Sequence, residues 1–299
     1  MSKALLVQPT QDQLVIYQAG IYLEHVANTK SSSTLATYTD KISVFTRWWH
    51  DNPMTKPLQS HLEAFKSYVG MKYGSARSKN LMLSVVRNLF RYLYEVGILE
   101  ADHAKHLKNF KVSNGHTKNA LDKYQLHSFL EHLNECSLRD RALFTLAISN
   151  GLRVNEIACI EIADFDQRDG DEVIWLKRKG YESKDNYTIL TPETHSLLME
   201  YRADRTEGHL FTSQKGGGLS ASSISKLAKK TLRAVGIDSK SITMHSMRHT
   251  FGRLCAEADV SIAHVMEAMN HKHMSSTQVY YRAYDRSNNA AEKAINIYG

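Results

Sequence analysis

A chain of 299 residues, 42% hydrophobic and 23% charged, has enough apolar material for a substantial core and a length that suggests one to three domains. No apolar run approaches the length of about 18 residues that a membrane span needs, and the N-terminus lacks a secretory signal pattern. The net charge of +7 is unevenly placed: 15 Lys/Arg face 8 Asp/Glu through Lys118, and 23 of each follow.

Together these features predict a cytoplasmic protein without a membrane partner. A cation excess on one part of a chain suits a polyanion such as DNA, although many basic domains bind no nucleic acid. Cys136, Cys159 and Cys255 form neither a disulfide framework nor a CxxC pair, so they are expected to serve as apolar filling in a reducing compartment.

Helices are predicted along the first hundred residues. Gln13–Ala27 has helically spaced apolar positions, and "SSSTLATYTDKISVFTRWW" places Ser/Thr caps before Leu35, Tyr38, Ile42 and Phe45. Pro53 and Pro57 bracket a turn before a helix over Leu62–Val69. "SARSKNLMLSVVRNLFRYLYEVG" reads as a long helix with Leu81, Val85, Leu89 and Leu93 on one stripe and Gly97 as its stop. Arg77, Lys79, Arg87 and Arg91 on this helix are DNA-contact candidates or ordinary solvated surface.

"KNFKVSNGHTKNALDK" is a polar connector, which divides the chain into an N-terminal domain over 1–108, a linker over 109–122 and a C-terminal domain over 123–299. The second domain opens on helices at Tyr124–Leu133 and in "SLRDRALFTLAISNG". "DEVIWLK" and "NYTIL" are strand candidates joined by the basic hairpin "RKGYESKD", and "GHLFTSQKGGG" suggests a further edge strand. Further helices are expected at Ala221–Val235, Ser246–Ala258, Ile262–Met269, Ser276–Tyr284 and about 289–297. The glycines at 216–218 lack the surroundings of a nucleotide-binding loop and read as a tight exposed turn.

Four pieces carry candidate chemistry: Arg153 in "NGLRVNEI", the lysines of the hairpin, His245, Arg248 and His249 in "HSMRH", and "MNHKHMSSTQVYY" with His271 and Tyr280. A buried arginine is costly unless its donors meet an anion, and Arg153 follows directly on an apolar helix and a glycine stop. If His245 and Arg248 are both helical, they share a face. His264, His271 and His273 match neither H-E-x-x-H nor a finger spacing, so no metal is expected.

In this order, and with helical flanks, these motifs resemble the tyrosine recombinases, the family of chromosome-dimer-resolving recombinases, phage integrases and transposon-borne resolvases. The resemblance covers nearly the whole chain. It implies a mainly α protein, a two-domain C-shaped DNA clamp with a helical core-binding domain and an α-rich catalytic domain bearing a small antiparallel sheet. Arg153, His245 and Arg248 match the family's Arg and H-x-x-R positions, and His271 its His/Trp position. Lys179 is the best match to the hairpin lysine, with Lys177 and Lys184 as alternatives because Arg178 replaces the usual leading glycine. Family spacing makes Tyr280 the nucleophile, with Tyr281 packing or steering beside it and Tyr284 structural.

The chemistry explains the residue types. Arg153 and Arg248 offer donors to a phosphodiester that gains negative charge, and His245 and His271 add hydrogen bonds. The phenol of Tyr280 needs positioning, and Lys179 suits protonation of the departing sugar oxygen. Glu156 is expected to orient Arg153 or His249, and His249 chiefly to support the site from beneath or else to contact the phosphate itself, while Lys226, Lys229 and Lys230, beside Ser222 and Ser223, are further DNA-contact candidates.

The resemblance further implies double-stranded DNA partners at specific sites, a homo-tetramer on paired sites with the C-terminal segment exchanged between protomers, possible accessory proteins, and no cofactor. A type IB topoisomerase would use similar chemistry to relax DNA. A noncatalytic DNA-binding factor is the reading from a different class.

Overall fold

The computed structural model describes residues 11–112, 119–177, 183–214 and 216–289. The chain divides into two compact units, Met1–Gly115 and His116–Gly299. Among the described residues no helix is long and apolar enough to cross a membrane.

The first unit is built on four helices: α1 (Gln11–Thr29), α2 (Ser32–Asp51), α3 (Leu58–Lys72) and α4 (Ala76–Glu95). Ser31 caps α2 by accepting from the Thr34 amide, and Ser75 caps α4 by accepting from the Ser78 amide. The core is aromatic. Phe45 meets Phe65 edge-on at 5.0 Å, and Trp49 and Phe90 are fully buried beside them. Each such side chain contributes roughly 1.5–3 kcal/mol by burial, which fixes how α2, α3 and α4 pack.

The stripe expected on α4 is only partly right. Val85, Leu89 and Leu93 are buried with Met82, Val86 and Phe90, whereas Leu81 is 43% exposed. The 3.6-residue repeat carries the core face past position 81, and Met82 and Leu83 take its place.

Chain leaving this unit is bound along α4. Asn80 exchanges two hydrogen bonds with the Phe110 backbone, at 2.9 and 2.8 Å. Arg87 donates to the Leu107 carbonyl at 2.8 Å and to Asn109 Oδ1 at 2.9 Å, and Lys79 lies 5.2 Å from the Phe110 ring centroid. At the far end of the connector, the Leu121 amide donates to Thr250 Oγ1 at 2.9 Å. The described ends of the expected linker are therefore anchored, each to its own unit.

The second unit contains α5 (Lys123–Leu133), α6 (Leu138–Ser149) and α7 (Val154–Ala158), then strands β1 (Phe165–Arg168), β2 (Asp171–Lys177) and β3 (Lys184–Ile189). It continues with α8 (Pro192–Arg202), α9 (Ala221–Ala234), α10 (Met244–Glu257), α11 (Ile262–Ala268) and α12 (Met274–Asn288). The sheet is antiparallel in the order β1-β2-β3, with Trp175 opposite Tyr187 and a register irregularity between Leu176 and Lys177. Its inner residues Ile174 and Leu176 join Phe129, Phe144, Leu198 and Phe211 in the core.

Three elements were not anticipated: α7, β1 and α8. β1 is a four-residue strand with one partly buried apolar side chain, too short for alternation to reveal. α8 carries its own start signal, Thr191 as cap and Pro192 in the first turn. Among the described residues, the edge strand expected in "GHLFTSQKGGG" does not form. Isolated bridges pair Glu161 with His209 and Thr212 with Gly218 instead. Cys136 and Cys255 are partly buried, but Cys159 is exposed and fills no core.

Candidate active site

Arg153 occupies the N-cap of α7, immediately after Gly151 and Leu152. Gly151 has a φ of +61°, and a Cβ there would lie 2.4 Å from the Phe251 ring, so the approach of α10 to this turn requires glycine. Glu156, 5% exposed, reaches back from the third position of α7. It accepts from the Arg153 amide and from Arg153 Nη1, both at 2.7 Å. Glu156 thereby ties the backbone and the guanidinium of Arg153 together.

Arg248 approaches from α10 and is 2% exposed. Its Nη1 donates to the Gly151 carbonyl at 2.7 Å and stands 4.0 Å from Glu156 Oε2. Its Nη2 donates to the Met269 carbonyl, and Arg153 Nη2 donates to the next carbonyl, Asn270, at 3.0 Å. Two arginines from distant parts of the chain thus meet one carboxylate and hold one turn. Asn270 takes the left-handed conformation there, with a φ of 48°, which asparagine tolerates better than most residues. That turn delivers His271.

The guanidinium of Arg248 is pulled down to about 10 by burial first and by Arg153 second, opposed by Glu156 and Tyr280. It remains charged at neutral pH. His271 is driven down to about 4, mainly by burial and then by the fields of Arg248, Arg153, His249 and His245. It is neutral at pH 7. Its Nδ1 lies 2.7 Å from Thr277 Oγ1.

Tyr280, on α12, is 8% exposed and its ring stacks 6.5 Å from that of His271. Burial raises its phenol above the ordinary value, against the opposing pull of Arg248 and Arg153. The hydroxyl is 3.0 Å from His249 Nδ1. His249 stands edge-on to His245 at 4.7 Å, and His245 is exposed on the first turn of α10. His245 and Arg248 are both helical, which meets the condition for a shared face. His249 touches the nucleophile candidate itself.

The rival tyrosine is committed elsewhere: the Tyr281 hydroxyl donates to the Val260 carbonyl. Tyr284 is partly buried in the small cluster around Val265 and Met269. Two residues of the site escaped sequence reasoning. Gly252 lies where a Cβ would meet the Tyr280 ring at 2.5 Å, and a glycine inside "HTFGRLC" was the available sign. Thr277 is fully buried and had no local sign.

Lys179, with residues 178–182, lies outside the described residues. Of its alternatives, Lys177 is exposed at the end of β2, while Lys184 is paired with Glu161 and Asp164 and braces the sheet. The DNA-contact candidates also separate. Lys226 and Lys230 are exposed on α9, as are Arg77 and Arg91 on α4. Lys229 is tied to Asp238 at 2.8 Å and to the Ser239 carbonyl, and Arg87 and Lys79 serve the Leu107–Phe110 segment. The expected helix over 289–297 falls almost entirely outside the described residues.

A phenol held against an imidazole, beside paired guanidiniums and a neutral histidine, is equipment for attack on a phosphodiester. The comparisons with known proteins agree with that class. The model of the phage integrase family matches residues 119–287, and that of the phage integrase N-terminal SAM-like domain matches residues 21–97. The chain belongs to the phage integrase family, and the curated relatives it matches are tyrosine recombinases.

Tyrosine recombinase XerC of Thermodesulfovibrio yellowstonii is 25% identical over 280 residues, covering 87% of this chain and 89% of the relative. XerC of Vibrio vulnificus is 30% identical over 217 residues, covering 71% of this chain and 66% of the relative. Among solved structures, the XerH recombinase in a post-cleavage complex with its difH substrate aligns over 99% of both chains, with a TM-score of 0.74 and 19% identity. A lambda integrase tetramer bound to a Holliday junction aligns over 88% of this chain and 76% of that one, with a TM-score of 0.71 and 18% identity. At such identities these likenesses establish the fold alone.

Proposed function

We propose that the chain exchanges strands between two specific duplex DNA sites, with Tyr280 as the nucleophile. The observation that carries this reading is the Tyr280 hydroxyl 3.0 Å from His249 Nδ1, beside two arginines that converge on Glu156. Attack of the phenolic oxygen on the scissile phosphorus forms a 3′-phosphotyrosyl bond and breaks the bond to the 5′-oxygen. The phenolic proton passes to His249, the adjacent acceptor. The 5′-oxygen takes a proton from Lys179, with Lys177 as the alternative.

Arg153 and Arg248 neutralise the charge that develops on the nonbridging oxygens, and His245 and His271 donate to the same group. The phosphotyrosyl bond conserves the energy of the broken linkage, so rejoining to a partner strand's 5′-hydroxyl needs no nucleotide cofactor. Four protomers on paired sites, with the C-terminal segment passed between neighbours and a Holliday junction midway, complete the cycle. Accessory proteins are a further expectation.

The test begins by mapping cleavage on the replicon that encodes the chain. Two differently labelled duplexes carrying the mapped site are then mixed with the protein. Recombination predicts products joining one label to the other. Religation of each original strand alone would favour the topoisomerase chemistry, and binding without cleavage the noncatalytic factor.

A further inference from the structure

Thr277 is 0% exposed, and among the described residues its hydroxyl has one hydrogen-bond partner, His271 Nδ1 at 2.7 Å. A threonine inside a helix commonly bonds the carbonyl four residues back. Here the hydroxyl turns to the imidazole instead. A buried hydroxyl carries one proton that must find an acceptor, because leaving it unmade costs as much as losing a hydrogen bond.

The two possible arrangements are unequal. If His271 carried its proton on Nδ1, that N–H would donate to Oγ1, and the threonine proton would be left without an acceptor. If Nδ1 is bare, the threonine donates to it, and both the hydroxyl proton and Nδ1 are satisfied. The proton of the neutral imidazole then sits on Nε2, the other side of the ring.

We propose that Thr277 is a positioning residue that fixes the Nε2–H tautomer of His271, so that this histidine presents a donor to the scissile phosphate. This rests on the site reading above, in which His271 faces the phosphate. The reasoning is one of directions. A histidine with a bare Nε2 would aim a lone pair at an anion and repel it. The other groups that act on His271, namely Arg248, Arg153, His249 and His245, disfavour a second proton on the ring. A neutral ring can serve as a donor toward the phosphate only if its tautomer is set. Thr277 sits three residues before Tyr280 on α12, so one helix carries both the nucleophile and the residue that sets its neighbour's proton.

The experiment uses the full chain with nitrogen-15-labelled histidine and reads the His271 ring by long-range proton–nitrogen correlation, assigned with His271→Gln. The wild type is expected to show an unprotonated Nδ1 and a protonated Nε2 at pH 7. Thr277→Val should mix or reverse that pattern and slow single-turnover cleavage roughly 5- to 150-fold, the equivalent of one buried hydrogen bond left unmade. Thr277→Ser should restore both readouts.

A wild-type spectrum with Nδ1 protonated overturns the proposal whatever the variants do, and so does a valine variant that keeps the wild-type tautomer. The spectrum needs no DNA. A chain with the expected tautomer but no cleavage would therefore refute the recombinase reading and leave the tautomer assignment standing.

Discussion

Cations in the two units are used in different ways. The stretch through Lys118 holds the chain's whole formal excess, yet on α4 Arg87 holds chain at Leu107 and Asn109 and Lys79 lies over Phe110. The chain after Lys118 has matched numbers, and away from the site it pairs them: Lys184 with Glu161 and Asp164, Lys229 with Asp238, Arg253 with Glu257. Inside the site that matching stops. Arg153 and Arg248 share a single buried carboxylate, Glu156. A formal charge count therefore locates little, and a local surplus of buried cations over anions is the better sign of an anion-handling site.

The sharpest way to break this contrast is to remove one cation from each unit. Arg248→Ala removes the donor to the Gly151 and Met269 carbonyls and leaves Glu156 with Arg153 alone. It should cost about 3 kcal/mol of stability and slow strand cleavage by about 10²–10³-fold. Arg248→Lys should recover part of the stability but little of the cleavage, since an ammonium lacks the fork geometry. Arg87→Ala should cost about 1–2 kcal/mol in a denaturant melt, with cleavage of saturating DNA unchanged. Equal losses of cleavage in the two variants would erase the distinction.

Gly252→Ala comes next. The added methyl would displace the Tyr280 ring, and single-turnover cleavage should fall about 10²-fold while DNA binding is kept. A smaller effect concerns pH. The folded value of His271, about 4, lies below the ordinary 6.5. Between those values the unfolded chain binds a proton that the folded chain refuses, so stability declines as pH falls from 6.5 toward 4. Urea melts at pH 7 and pH 5 should show that decline, and His271→Gln should lessen it. Smallest of all, Lys226→Ala and Lys230→Ala should leave the melt unchanged and each lower the salt slope of DNA binding by about 1.

Much of the architecture was legible because long amphipathic helices announce themselves: Ile42, Phe45 and Trp49 on α2 repeat at helical spacing, and Ser31 and Ser75 mark the starts. Short or mostly exposed elements such as β1 were not, since their formation depends on the pairing of Phe165 with Ile174 and its neighbours. The order of Arg153, His245, Arg248, His271 and Tyr280 could be read from family motifs. Their geometry could not. Contacts such as Arg153 with the Asn270 carbonyl join positions 117 residues apart, and no local pattern encodes where such a side chain ends. For the same reason His249 read as a supporting residue, and Gly252 and Thr277 passed as ordinary helix positions.

The central claim is that the phenol at position 280 becomes bonded to DNA. A nicked suicide duplex carrying the mapped site, which loses its 5′-hydroxyl fragment on cleavage, traps the adduct for peptide mass spectrometry. The account predicts a phosphonucleotide on Tyr280, abolished by Tyr280→Phe and retained in Tyr281→Phe. An adduct on Tyr281, or one that survives Tyr280→Phe, would contradict it.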